Sequence, residues 1–130
     1  MALPNGAGGY QVGDGNLSEV TLGVQSAPVA KTAAATLTAA ELTNGIITYT
    51  GAAVAITLPT VADTEALVSS AKTNSSFDFS IINTGATNAA TLTAGTGWTL
   101  VGVAAVSAVT SSTWRARKTG DGAWTAYRLA

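Results

Sequence analysis

The chain of 130 residues contains no cysteine and no histidine. Without cysteine there is no disulfide, no iron–sulfur cluster and no thiolate zinc site, and the redox state of the compartment stays open. Without histidine the commonest general base and the commonest transition-metal ligand are missing. Charge is scarce as well. Asp, Glu, Lys and Arg make up 10% of the chain, against about 25% in ordinary soluble domains. The net charge is -1, so no global field draws the chain to nucleic acid or to membrane phosphate. No apolar run reaches the roughly 20 residues of a membrane-spanning helix. The opening residues, "MALPNGAGGYQVGDGN", lack the basic start and apolar stretch of a signal peptide. The expectation is no nucleic-acid partner, no membrane partner and no secretion by that route.

Small residues fill the space that charge leaves: 26 Ala and 21 Thr. A monomer ordinarily keeps itself soluble with a mixed charged surface. With so few charges, much of this surface is expected to be covered by partners. The alternative is a neutral Thr/Ser-rich surface on a monomer.

Two regions differ in texture. Residues 1–30 hold six of the 14 glycines, with Pro4 and Pro28 flanking them. Glycine raises the entropy cost of ordering, and little periodic apolar pattern is present. This region reads as an extended arm with scattered anchors: Leu3, Pro4, Tyr10, Val12 and Leu17, and then Val20, Leu22 and Val24 in a short strand near 19–25. Residues 31–130 read as one β domain. "TNGIITYTG" and "AVAITLP" predict strands near 45–50 and 53–58, paired as a hairpin across Gly51. "SFDFSIIN" alternates, with Phe77, Phe79 and Ile81 on one face and Asp78 on the other. A last hairpin pairs roughly 110–118 with 123–129 across "TGDG".

Two helix starts are marked. Thr38 with Glu41, and Thr60 with Asp63, have the capping-box spacing. Val61, Leu67, Val68 and Ala71 form the expected buried stripe of the second helix. Together these elements predict an all-β fold: an antiparallel, jelly-roll-like β-sandwich with one or two short helices and an extended N-terminal arm. One internal echo, "AATLTA" at Ala34–Ala39 and again at Ala89–Ala94, carries no weight in a chain so rich in Ala and Thr.

Little chemistry is framed by motif. The seven carboxylates are Asp14, Glu19, Glu41, Asp63, Glu65, Asp78 and Asp121. Helix starts, a Gly-flanked turn and a solvent face account for several, and no pair reads as a glycosidase couple. A Ser or Thr nucleophile would have only Lys31, Lys72 or Lys118 as base. "GDGN" and "TGDG" lack the ligand alternation of a calcium loop and read as turns. No catalytic, cofactor or metal site is expected. Trp98, Trp114 and Trp124 could form a sugar-stacking platform, although aromatic pairs across strands are ordinary sheet stabilisers. On the last hairpin, Thr113, Arg115 and Arg117 point one way and Trp114, Ala116 and Lys118 the other. The basic residues are therefore split, unlike a nucleic-acid footprint. Arg115 and Arg117 are assigned hydrogen-bonded contacts on the hairpin or at a subunit interface.

Three stretches carry a resemblance: "TLTAAELTNGIITYTGAAVAITLPTVADTEAL", "FDFSIINTGATNAATLTAGTGWTLVG" and "TWRARKTGDGAWTAYRL". In this order, across residues 31–130, they resemble small virion proteins of tailed bacteriophages that decorate the capsid, called decoration, cement or head-fibre proteins. The resemblance implies a β-rich domain, usually trimeric, on the outer surface of the virion. It implies no enzyme activity and no cofactor. The expected partners are the major capsid protein and two further copies of the chain, with synthesis in the host cytoplasm. The arm residues Leu3, Pro4, Tyr10, Val12 and Leu17 are the expected capsid contact. The alternative function is a receptor- or glycan-binding fibre tip that uses Trp98 or the Trp114/Trp124 pair.

Overall fold

The computed structural model describes residues 22–130. The chain order is β1 (Val29–Lys31), β2 (Ala35–Thr36), α1 (Ala39–Asn44), β3 (Ile46–Tyr49), β4 (Val54–Thr57), α2 (Val61–Leu67), β5 (Ser76–Asn83), β6 (Ala90–Thr93), β7 (Trp98–Val101), β8 (Ala105–Val106), β9 (Thr110–Gly120) and β10 (Ala123–Arg128). The strands form two sheets. The larger has the order β1-β3-β5-β9-β10-β7 and the smaller β2-β4-β6-β8.

From β1 to β6 each strand lies in the opposite sheet from the one before it. The chain winds as stacked coils, each laying one strand on either sheet, and all pairing within this part is parallel. The C-terminal part then reverses direction. β8 pairs antiparallel with β6, and β9 runs antiparallel to both β5 and β10, while β7 joins the far edge parallel to β10.

Mostly β structure with two short helices is as expected. Uniform antiparallel pairing is not: three pairings are antiparallel and five parallel. The predicted hairpin of β3 with β4 does not form, because those strands lie in different sheets. Gly51 makes a corner there. Its φ is 146°, and a Cβ on it would sit 2.5 Å from the Thr32 carbonyl oxygen of the preceding coil and 2.9 Å from the Tyr49 hydroxyl. The glycine lets one coil rest on the next.

A repeat underlies the coils. "IxxTGAxxAxTL" spans Ile47–Leu58 and again Ile81–Leu92. In the large sheet Ile47 pairs with Ile81 and Tyr49 with Asn83, in step with the repeat. In the small sheet Ile56 pairs with Leu92 and Thr57 with Thr93, two residues out of step. The "AATLTA" echo behaves alike: its copies enter the small sheet as β2 and β6, with β4 between them. A slip of two keeps every side chain on its original face.

Both helices start where read, the first with the full capping box and the second with its Thr60 half alone. Thr38 Oγ1 accepts from the Glu41 amide while the Glu41 carboxylate accepts from the Thr38 amide. Thr60 Oγ1 accepts from the Asp63 amide. Gly45, left-handed at φ 95°, ends α1. In α2 the buried face is Val61 and Thr64. Val68 and Ala71 pack partly against the core, but Leu67 is exposed, because helical spacing turns it away from the face of Val61, Thr64 and Val68.

One apolar core joins the two sheets and both helices, through Leu37, Leu42, Ile47, Ile56, Leu58, Phe79, Ile81, Leu92, Val106, Trp114 and Trp124 among others. Phe79 and Ile81 face inward and Asp78 outward, as the alternation required. Phe77, nearer the sheet end, is half-buried. Pairing begins at Val29, two residues before the expected start of the domain. Residues 22–28 form no strand, and the remainder of the strand expected near 19–25 lies outside the described residues.

Candidate functional site

The hairpin of β9 and β10 turns at Asp121 and Gly122, the latter at φ 67°. Its faces are those read from the sequence. On the outer face the Arg115 guanidinium bonds Asp78 on β5 through two N–H groups, at 2.7 and 3.0 Å. Arg117 donates to the Tyr127 hydroxyl at 2.7 Å and to the Asn74 side chain at 2.8 Å, with its guanidinium over the Tyr127 ring. Lys118, on the other face, pairs with Glu65 at 2.9 Å. The three basic residues are thus engaged within the chain and form no anion-binding patch. Arg115 and Arg117 thus make hydrogen-bonded contacts within the chain, to β5, to Asn74 and across the hairpin to Tyr127.

Three carboxylates are held as structural acceptors. Hydrogen bonds from the Thr38 amide and from Lys31 keep the Glu41 carboxyl below its ordinary value. Bonds from Lys118 and the Trp124 indole do the same for Glu65, and bonds from Arg115 for Asp78. A catalytic acid needs its pKa raised toward the working pH, and these three shift the other way. Among the described residues no cluster of acidic side chains is suited to a metal ion. No helix among them is long and apolar enough to cross a membrane.

The tryptophans correct an expectation. Trp98, Trp114 and Trp124 are all buried in the core. Their indole N–H groups donate to the Pro59 carbonyl, the Ser112 hydroxyl and the Glu65 carboxylate respectively. None offers an open face to a sugar ring. Alternation puts Trp114 and Trp124 on one side of the hairpin, but it does not reveal that this side is the one packed into the core.

Two surfaces remain. In the large sheet β9 alone runs against the others, so the strands share two well-defined ends. The helix end gathers α1, α2, the β9–β10 turn and the point where residues 25–28 enter. It holds a cleft of about 290 Å³ between the two helices and the start of β5, with Phe77 and Trp124 against Val68, Ala71 and Thr43.

The opposite, loop end gathers residues 32–34, 50–53, 84–89 and 107–109, and none of these is Asp, Glu, Lys or Arg. Val109 is 75% exposed there, while Val101, Val103 and Leu129 are exposed along the β7–β10 edge, where Val101 stands level with Asp78 of β5. Val103 is held by the Arg128 guanidinium, which donates to its carbonyl at 2.8 Å. Val109 has a left-handed backbone, φ 59°, which a β-branched residue adopts only under strain. No sequence pattern marks this surface, because its apolar residues come from separate segments with no common period. The expected arm contacts Leu3, Pro4, Tyr10, Val12 and Leu17 lie outside the described residues. No family model, no curated protein and no solved structure matches the chain.

Proposed function

We propose that the chain is a structural virion protein that binds the outer surface of a bacteriophage capsid as a homotrimer, decorating and stabilising the shell. In this reading the two sheets face one another as a sandwich, and the protein is neither an enzyme nor a cofactor carrier. The single observation that carries the reading is the loop end. Charge-free segments meet at one end of the domain, where Val109 is exposed, and Val101, Val103 and Leu129 add exposed apolar side chains along the adjoining β7–β10 edge. Exposed apolar groups gathered in this way are characteristic of a surface that meets a partner. The likeness of residues 31–130 to capsid decoration proteins supplies the partner, the major capsid protein.

Trimerisation makes a modest contact sufficient. Each loop end buries only a few side chains, but three linked copies raise the effective concentration of the second and third contacts. The competing site is the arm, at Leu3, Pro4, Tyr10, Val12 and Leu17. Arg115 and Arg117, on the outer face of the large sheet, remain the proposed subunit-interface residues. The glycan-binding alternative lacks its residues, since all three tryptophans are interior.

Co-sedimentation with undecorated capsids separates the two contact sites. Val103→Asp/Val109→Asp protein should stay in the supernatant, while protein with Tyr10, Val12 and Leu17 changed to Ser should pellet like wild type. The reverse pattern would move the contact to the arm. Pelleting of neither chain type, nor of wild type, would remove the capsid as partner.

A further inference from the structure

The helix-end cleft lies beside a segment suited to fill it. Gln25 Nε2 donates to the Asn44 carbonyl at 2.9 Å, and Asn44 Nδ2 donates to the Ala27 carbonyl at 3.1 Å. The entering chain is therefore tied to the last residue of α1, and the residue before it, Thr43, lines the cleft. Immediately upstream of this tether, Leu22 is 87% exposed and Val24 fully exposed. Two branched apolar side chains thus meet nothing of their own domain, next to an apolar hollow that nothing of that domain fills. At about 290 Å³, the hollow falls at the lower limit of the roughly 300–1,000 Å³ of small-molecule pockets. It suits one or two aliphatic side chains better than a metabolite.

We propose that Leu22 and Val24 of one copy seat in the Phe77–Trp124 cleft of a second copy. This inference rests on the homotrimer reading above and adds to its subunit interface a second, apolar contact. The segment and the cleft are different surfaces, so each copy gives one and receives one, and such a head-to-tail contact closes as a three-membered ring when successive copies are turned by a third of a circle. The seating requires no change at the tether: Gln25 and Ala27 stay on Asn44 while the residues before them run outward to the neighbour. Ser70 and Ser75 at the cleft offer hydroxyls to the backbone of the incoming strand. The arrangement also leaves the loop end, at the other end of the strands, free for a separate partner.

The absence of native cysteine makes a cross-link clean. Full-length Val24→Cys protein is mixed with full-length Ser70→Cys protein and oxidised mildly, and a Val24→Cys/Thr91→Cys mixture serves as control. Both Ser70 and Thr91 are exposed, so neither change disturbs the core. The seating predicts a disulfide-linked pair in the first mixture and its absence in the second. It also predicts that Leu22→Asp/Val24→Asp protein falls from trimer mass to the 12.9 kDa of one chain. A trimer that forms no Val24–Ser70 link overturns the seating and leaves the trimer standing. A wild-type monomer overturns both. A link that forms inside a doubly substituted chain at high dilution places the segment in its own cleft, which also overturns the proposal.

Discussion

Glu65 accepts at one oxygen from both the Lys118 ammonium and the Trp124 indole. Glu41 and Asp78 are likewise held by donors, and all three bind a proton less tightly in the folded chain than in the unfolded one. Acid therefore favours unfolding. Stability from these groups is complete above the ordinary carboxylate range and is lost as pH falls through their lowered folded values, below roughly pH 4. Thermal unfolding followed by circular dichroism should give a midpoint that holds steady from pH 7 to about pH 5 and then drops. Glu65→Gln should shrink that drop, and an unchanged acid limb would show that Glu65 does not contribute to it. Val109 is the other residue of consequence. Its left-handed backbone costs about 1 kcal/mol or more in a residue with a Cβ. Val109→Gly should raise the denaturation midpoint while weakening capsid binding. A gain in stability with binding intact would separate the strain from the contact.

Elements show which parts of the fold local sequence controls. The helix starts were legible because a capping box is complete within four residues. Thr38 and Glu41 satisfy each other's amides whatever the rest of the chain does. The face of each strand was legible for the same reason, since alternation at Phe79, Ile81 and Asp78 fixes in and out. The sheet to which a strand belongs was not. β3 and β4 alternate equally well as a hairpin or as two sides of a coil, and the choice rests on Thr32, distant in sequence, against which Gly51 packs. The repeat of Ile47–Leu58 in Ile81–Leu92 was the available signal for stacked coils. Its two blocks become parallel neighbours, in register in the large sheet and two residues out of step in the small one. Gly51→Ala tests the corner. A Cβ 2.5 Å from a carbonyl oxygen must push the coils apart, at a cost of about 1–3 kcal/mol. A hairpin turn with room to relax would lose much less, so a near-zero change in urea midpoint would contradict the corner geometry.

The whole molecule has two unlike ends. Glu41, Asp63, Glu65, Lys72 and Asp121 lie at the helix end, whereas the loops of the other end are uncharged. The sparse charge noted in the sequence is thus unevenly placed, and several of the ions are paired with one another. Composition could indicate that partners cover the surface, but not where, because the apolar loop end exists only once the coils are stacked. The shell-binding trimer is tested most directly by a cryo-electron-microscopy reconstruction of capsids assembled with and without the protein. Added density is expected at threefold or quasi-threefold positions, fitting three β domains with Val103 and Val109 toward the shell and the helix ends away from it. Identical shells in the two reconstructions, or domains bound singly with their loop ends outward, would contradict it.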